Sequence, residues 1–408
     1  MLASLAAWLV IAVLLVPLAI GLRYRTAKTL LALGSIAATL GVTEVAMRYT
    51  YPPSWQPLRK LPSREYHHIN RPNAVLYEGR VEGKDVLVRT NEDGFRTGHD
   101  RGEFLHYRDR IVVLGDSFTF GADVRQEFVF PEVMEKLLRQ KLRRDDVGVL
   151  NAGTISYSPL LGKRIFDGIV VNYRPTLVLY VLDVTDIGDD YNYERELVGN
   201  GPGSHFDWTG LRTAHYYGAL AELVDLEWVL DVLDRPITPL LRLAGSRSAP
   251  AREYDWYDFR ALIGGQIEKN RYFIYRHPLE QTRPYFDRTW GYITKLADSV
   301  RRSGARFELI VAPRYHHWNP RESPKNWEDE EYELNEPFQY EYFRYFDERR
   351  ASAPFEIFDL LPAFRATTEF PLVFEDDPHW NEAGHAFVAR TLATHLLEHD
   401  WVGASAAR

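Results

Sequence analysis

Leu177–Leu182 reads LVLYVL, an apolar run with no polar break. A strand with one wet face alternates apolar and polar residues, so an unbroken run marks a strand covered on both faces. Such a strand belongs in the middle of a parallel sheet with helices above and below. Its neighbours fit that place. Arg110–Leu114 and Arg306–Ala312 ("RFELIVA") read as further central strands, Val147–Asn151 as a short one and Phe355–Phe358 as the last. Helical patterning fills the gaps at Phe128–Leu142, Leu161–Asn172, Tyr285–Arg302 and Glu382–Glu398. Strands alternating with helices imply a parallel sheet joined by right-handed crossovers. Ahead of this alternation, "VLVRTNEDGFRT" predicts a strand over Asp85–Thr90 and a turn at Asn91–Gly94.

From about Glu196 to Pro284 the alternation stops. That stretch holds the Gly/Pro-rich "GNGPGS", an amphipathic helix over His215–Leu233 and a polar aromatic section. A structured insertion of this length is expected to form a lid or substrate wall, the other reading being a structural cover.

The first fifty residues are of a different kind. Leu2–Leu22 carries no charge and is long enough for a bilayer core of roughly 30 Å, and Ala27–Met47 is a second such stretch with Lys28 and Glu44. No basic residue precedes Trp8, which favours two transmembrane helices in a hairpin over a signal peptide followed by one anchor. Arg23, Arg25 and Lys28 crowd the connection and place it in the cytoplasm, with both termini outside; Arg48, Arg59, Lys60 and Arg64 weigh against that orientation. Glu44 reads either as a residue snorkelling to the interface or as a functional intramembrane carboxylate. The expected organisation is a hairpin over 1–50, a Pro- and aromatic-rich linker and lead-in over 51–84, and an α/β domain over 85–402 with the insertion at about 196–284. A net charge of -8 without a basic stripe argues against a nucleic-acid partner, and the absence of cysteine excludes disulfides, thiolate metal sites and a cysteine nucleophile.

Two short stretches carry the chemistry. "VVLGDSFTFG", Val112–Gly121, is a buried strand delivering Gly, Asp and Ser to the sheet edge where open α/β folds bind ligands. Ser117 there is either a helix cap or a nucleophile, and a nucleophile needs a base and a third group to orient that base. "EDDPHWNEAGH" offers Asp376 and His379, three residues apart just before the last helix, a spacing that lets the carboxylate reach one ring nitrogen.

Together these stretches resemble the SGNH (GDSL-type) hydrolases, in particular their membrane-anchored extracytoplasmic branch. The resemblance runs from about Asn91 to His385 apart from the insertion. "TNEDGFRT" is similar to that branch's lead-in, "VVLGDSFTFG" to the nucleophile block, "VLNAGTISYSP" to the second block and "EDDPHWNEAGH" to the last. It implies a three-layer α/β/α, flavodoxin-like parallel sheet and a triad of Ser117, His379 and Asp376. It also implies an oxyanion hole that includes the Gly153 amide, and no cofactor. The third block departs: "YVLDVTDIGDDY" has Asp183 at the usual glycine and Thr185 at the usual asparagine. The Thr185 hydroxyl, with the Ser117 and Gly153 amides, is the expected substitute, and losing one such donor typically costs about 10²–10³ in turnover.

Asp116, Asp186, His316 and Trp318 are the candidate substrate-binding residues. The cluster Asp183, Asp186, Asp189 and Asp190 reads as a metal or cation site or, preferred, as loop-holding carboxylates with Asp186 in the family's Asp slot; no metal is assigned. Tyr315–Trp318 suits sugar stacking or plain packing. His385 reads as structural, and His67 and His68 carry no discernible chemistry.

The implied activity is ester hydrolysis or O-acyl transfer, O-acetyl foremost, on envelope or exported glycans. The implied partners are the bilayer and a membrane-bound acyltransferase. The rival reading is a catalytically weak module that binds glycan or partner on the same fold.

Overall fold

The computed structural model describes residues 24–50, 55–58, 60–63, 65–197, 260–326, 328, 332 and 337–402. The expected span Leu2–Leu22 and the expected helix His215–Leu233 lie outside the described residues.

The described residues of the stretch expected to be linker and lead-in form strands. It holds β1 (Trp55–Pro57), β2 (Lys60–Ser63), β3 (His67–Asn70) and β4 (Val75–Val81), followed by β5 (Lys84–Arg89). β2 and β3 form a hairpin, while β1, β4 and β5 form a small sheet of their own. Glu82 and Gly83, both at positive φ, make the tight turn between β4 and β5, the backbone that a two-residue hairpin selects.

The main sheet contains β6 (Asp109–Gly115), β7 (Val147–Asn151), β8 (Leu177–Leu182), β11 (Arg306–Val311) and β12 (Glu356–Asp359). A short hairpin, β9 (Ala261–Ile263) with β10 (Gln266–Glu268), leads back from the insertion. The order across the five-stranded sheet is β12-β11-β8-β6-β7, and every pairing is parallel. In chain order this is the doubly wound, flavodoxin-like arrangement. β8 is buried at every position, as its unbroken apolar run requires.

Helices Phe130–Leu142 and Glu382–Glu398 pack together, and Pro159–Gly168, Asp186–Leu197 and Leu279–Arg302 form a second group. The last of these begins ahead of the expected Tyr285. Pro284 forfeits one backbone bond inside it, but the buried Leu279 and Thr282 carry the helix across. Successive crossovers on opposite faces leave a crevice between the carboxyl ends of β6 and β8, where the direction of winding reverses.

Tyr24–Thr50 is one continuous helix. Its segment Lys28–Tyr49 is, among the described residues, the one helix long and apolar enough to cross a membrane. Leu33, Ile36 and Val42 are exposed along it. Ser35, Thr39 and Thr43 each donate to the carbonyl four residues back, and Glu44 pairs with Arg48 at 2.8 Å, so these polar groups are satisfied within the helix.

Candidate active site

β6 ends at Gly115, and the short helix Ser117–Phe120 starts immediately after it. The corner demands glycine: Gly115 sits at φ +153°, and a Cβ there would lie 2.3 Å from Thr119 Oγ1. Asp116 caps the helix by accepting the Phe118 amide at 2.9 Å. Its carboxylate, expected to meet substrate, is therefore spent on the turn. Burial and the nearby Asp183 push its pKa up to about 7. At the far end Arg96, fully buried, donates to the carbonyls of Phe120 (3.1 Å), Gly121 (2.7 Å) and Val124. This gives the "NEDGFR" stretch a physical purpose that spacing alone does not reveal. Asn91 shapes the stretch by accepting the Asp93 and Phe95 amides, and its arginine locks the turn that presents Ser117.

Ser117 Oγ donates to His379 Nε2 at 2.7 Å, and His379 Nδ1 donates to Asp377 Oδ1 at 2.5 Å. Asp377, not Asp376, is therefore the carboxylate on the imidazole, which corrects the expectation from the motif. The reason is local. Asp377 Oδ1 also accepts the His379 amide at 2.9 Å, so a tight Asx turn folds this carboxylate onto its own histidine while Asp376 faces solvent. Burial of the ring disfavours its charge, but the charge and hydrogen bond of Asp377 outweigh this, and His379 is raised to about 9.

Two of the three groups expected as oxyanion donors are engaged elsewhere. The Gly153 amide donates to Asn151 Oδ1 at 3.0 Å. The Thr185 hydroxyl donates to Asp183 Oδ2 at 2.6 Å, and the Thr185 amide donates to the same oxygen at 3.0 Å. Threonine is too short to reach past this carboxylate, and Asp183 is in turn gripped by Arg314. The Ser117 amide, at the first position of its helix, has no acceptor within that helix. Gly153 nonetheless lies hard against the helix Ser117–Phe120, where a Cβ would stand 2.5 Å from the Phe120 nitrogen.

The remaining acidic residues hold loops. Asp186 accepts the Asp183 amide at 3.2 Å, and burial followed by repulsion from Asp116 raises its pKa well above the usual range. Asp190 accepts the Leu160 amide at 2.9 Å, and Asp189 stands 3.7 Å from Arg271. His316 and Trp318 take the packing alternative. His316 is 5% exposed among the rings of Tyr275, Tyr315, His317 and Tyr332, and Trp318 lies on Phe364 with ring centroids 4.3 Å apart. His385 accepts the Phe130 amide, a structural contact. His68 is buried against the second block, with its ring 2.7 Å from the Ile155 carbonyl, so the lead-in braces the loop that carries Gly153.

Glu78 lies at a backbone irregularity that leaves no pattern in the sequence. A register shift in β4 between Tyr77 and Gly79 sets Glu78 on a bulge, a device that re-aims a side chain. Burial, then the charge of Asp123, raises Glu78 to about 8, and His379 acts on it in the opposite sense. Asp123 itself feels Asp377 and His379. A cavity of about 240 Å³ is lined by Asp123 together with Val86, Arg125, Phe374 and Asn381.

No family model and no curated protein matches the chain. Among solved structures, the chain is similar to an acetyl xylan esterase at 14% identity and TM-score 0.36, over 70% of this chain and 99% of that one. It is similar to an acetylxylan esterase from Geobacillus stearothermophilus at 13% and 0.36, over 74% and 99%. A psychrotrophic esterase from Pseudoalteromonas matches at 13% and 0.32, over 71% and 98%. Overlaps this loose carry no weight for function, and the reading below stands on the site's own geometry.

Proposed function

We propose that the protein is a serine-dependent ester hydrolase or O-acyltransferase. The observation that carries this reading is the continuous hydrogen-bonded chain from Ser117 through His379 to Asp377, placed at the crevice between β6 and β8. His379 takes the Ser117 proton as Oγ attacks the ester carbonyl, and Asp377 stabilises the imidazolium that forms. The oxyanion is held by the Ser117 amide, joined by that of Gly153 once it leaves Asn151. Collapse expels the alcohol, which takes its proton from His379, and leaves an acyl-serine. Water or a second hydroxyl, deprotonated by His379, then accepts the acyl group.

The apolar helix Lys28–Tyr49 supports membrane anchorage. With the resemblance of its motifs, this favours a domain outside the cytoplasm acting on acylated, foremost O-acetylated, envelope or exported glycans. A membrane-bound acyltransferase is the partner such a transferase would need. The rival reading, a binding module with weak catalysis, has one observation in its favour: Gly153 and Thr185 both donate elsewhere. Labelling of the full-length protein in detergent by a fluorophosphonate ester decides between them. Modification at Ser117, lost in Ser117→Ala and His379→Ala, supports the enzyme; an unlabelled wild type leaves the binding module.

A further inference from the structure

The third block departs from the resemblance at Asp183, and that residue has a partner far along the chain. Arg314 follows β11, the strand beside β8, so the two side chains meet above the same sheet edge. Arg314 Nε donates to Asp183 Oδ1 at 3.0 Å and Nη2 to Oδ2 at 2.7 Å, the two-bond fork that fixes a guanidinium in plane. Nη1 donates to Glu328 Oε2 at 2.5 Å and to the Tyr332 hydroxyl at 2.8 Å. Arg314 is 3% exposed and Asp183 1%. A cation held on three sides away from water has one arrangement, because any other leaves a buried charge unpaired.

That cation sits next to the chemistry. The guanidinium carbon is 5.2 Å from the centroid of Phe118, the residue after Ser117. The Phe118 ring is in turn 4.8 Å from the His379 imidazole. One side chain therefore touches both the carboxylate that holds Thr185 and the aromatic that backs the base.

We infer that Arg314 is a positioning residue for the Ser117–His379 pair. Through Asp183 it holds the third-block turn, through Phe118 it holds the nucleophile turn, and as a fixed cation behind Phe118 it opposes protonation of His379. The inference rests on the acyl-transfer reading for its catalytic meaning, but not for its electrostatic content. Around His379, Asp377 and Glu328 favour the imidazolium and Arg314 opposes it. Glu78 on the β4 bulge, Asp123 after the nucleophile helix and Asp116 at its cap all feel His379 as well. Asp376 adds its charge at Asp123.

The test titrates the His379 ring by NMR in the full-length protein and measures fluorophosphonate labelling in parallel. Arg314→Gln is expected to raise the His379 midpoint by about one pH unit and to slow labelling about tenfold or more. Arg314→Lys keeps the charge but not the fork, so the midpoint returns while labelling recovers only in part. Asp183→Asn leaves the cation opposed by Glu328 alone and moves the midpoint the other way. Opposite shifts from the two ends of one ion pair do not come from loosened packing. Wild-type midpoints in a folded Arg314→Gln and in Asp183→Asn would overturn the inference. The acyl-transfer reading fails separately, by absence of Ser117 labelling in the wild type, and the midpoints still judge Arg314 in that event.

Discussion

The two halves of the crevice are built on opposite terms. On the His379 side, a serine, an imidazole and a carboxylate form an unbroken chain already closed at rest, with contacts of 2.7 and 2.5 Å. On the Asp183 side, the side chain expected to aim outward is turned inward and locked by an ion pair between residues 131 positions apart. Under the proposed acyl transfer, proton transfer and charge stabilisation are separate requirements, and the resting structure meets the first while holding the second closed. Substitutions in the two halves should then differ in size as well as in kind.

The largest effect belongs to Ser117. Ser117→Ala is expected to lower turnover of an activated ester such as p-nitrophenyl acetate by about 10³-fold or more. Its thermal midpoint should stay close to wild type, because the hydroxyl's partner is the His379 ring and the turn is held by Asp116 and Arg96. Retained turnover would mean that the chain from Ser117 to Asp377 moves no proton in the reaction.

Next come the neighbouring carboxylates. Asp377→Asn should cost about 10²–10⁴ in turnover, whereas Asp376→Asn, at a solvent-facing position, should stay within about twofold. The pH dependence separates them further. His379 is raised to about 9, and a base must be neutral to act, so kcat/KM in the wild type should climb as pH rises through that value. Asp377→Asn removes what outweighs burial, so its acidic limb should move to lower pH even as its plateau falls. Stability follows with the matching sign. A histidine whose folded pKa lies above the unfolded value of about 6.5 stabilises fully below that value and loses the contribution as pH rises through about 9. The wild type should therefore lose its thermal advantage over Asp377→Asn across that window. An Asp376→Asn variant that behaved like Asp377→Asn would show that the Asx turn is rearranged in solution.

A smaller effect is expected where the halves touch. Gly153→Ala puts a methyl 2.5 Å from the Phe120 amide and 2.6 Å from Thr119 Cγ2. The nucleophile helix must shift, at about 1–3 kcal/mol by analogy with overpacked cores. Calorimetry should show a lowered midpoint, accompanied by slower labelling of Ser117. A neutral Gly153→Ala would mean the two loops move independently.

How much of this was legible in the sequence follows from the range of each cause. Strand β8 and the order of the motifs are properties of short segments, and Leu177–Leu182 and Val147–Asn151 appear as read. Ser117 and His379, which the structure brings together, were legible because each stands in a distinctive stretch. The choice between Asp376 and Asp377 was not, since it depends on a turn in which one oxygen serves both a backbone amide and a ring nitrogen. Arg314 and Glu78 were invisible for a different reason. One acts across neighbouring strands and the other through a bulge, and neither leaves a local pattern. The strands within 51–84 leave little trace in the sequence, because prolines and short strands look like a linker unless their hydrogen-bonding partners are known.

The smallest effect tests the closed half most directly. If the Thr185 hydroxyl serves Asp183 rather than the oxyanion, Thr185→Val removes one buried hydrogen bond of 2.6 Å and nothing more. The expected cost is about 1 kcal/mol of stability, read as a lower midpoint in denaturant, with turnover within about threefold of wild type. Thr185→Asn asks the same question from the other side. Its amide finds the same Asp183 carboxylate that the hydroxyl meets, so turnover should not rise. A hundredfold loss in Thr185→Val, the size of a missing oxyanion donor, would instead show that the hydroxyl swings toward the substrate during reaction. The two halves of the crevice would then open together.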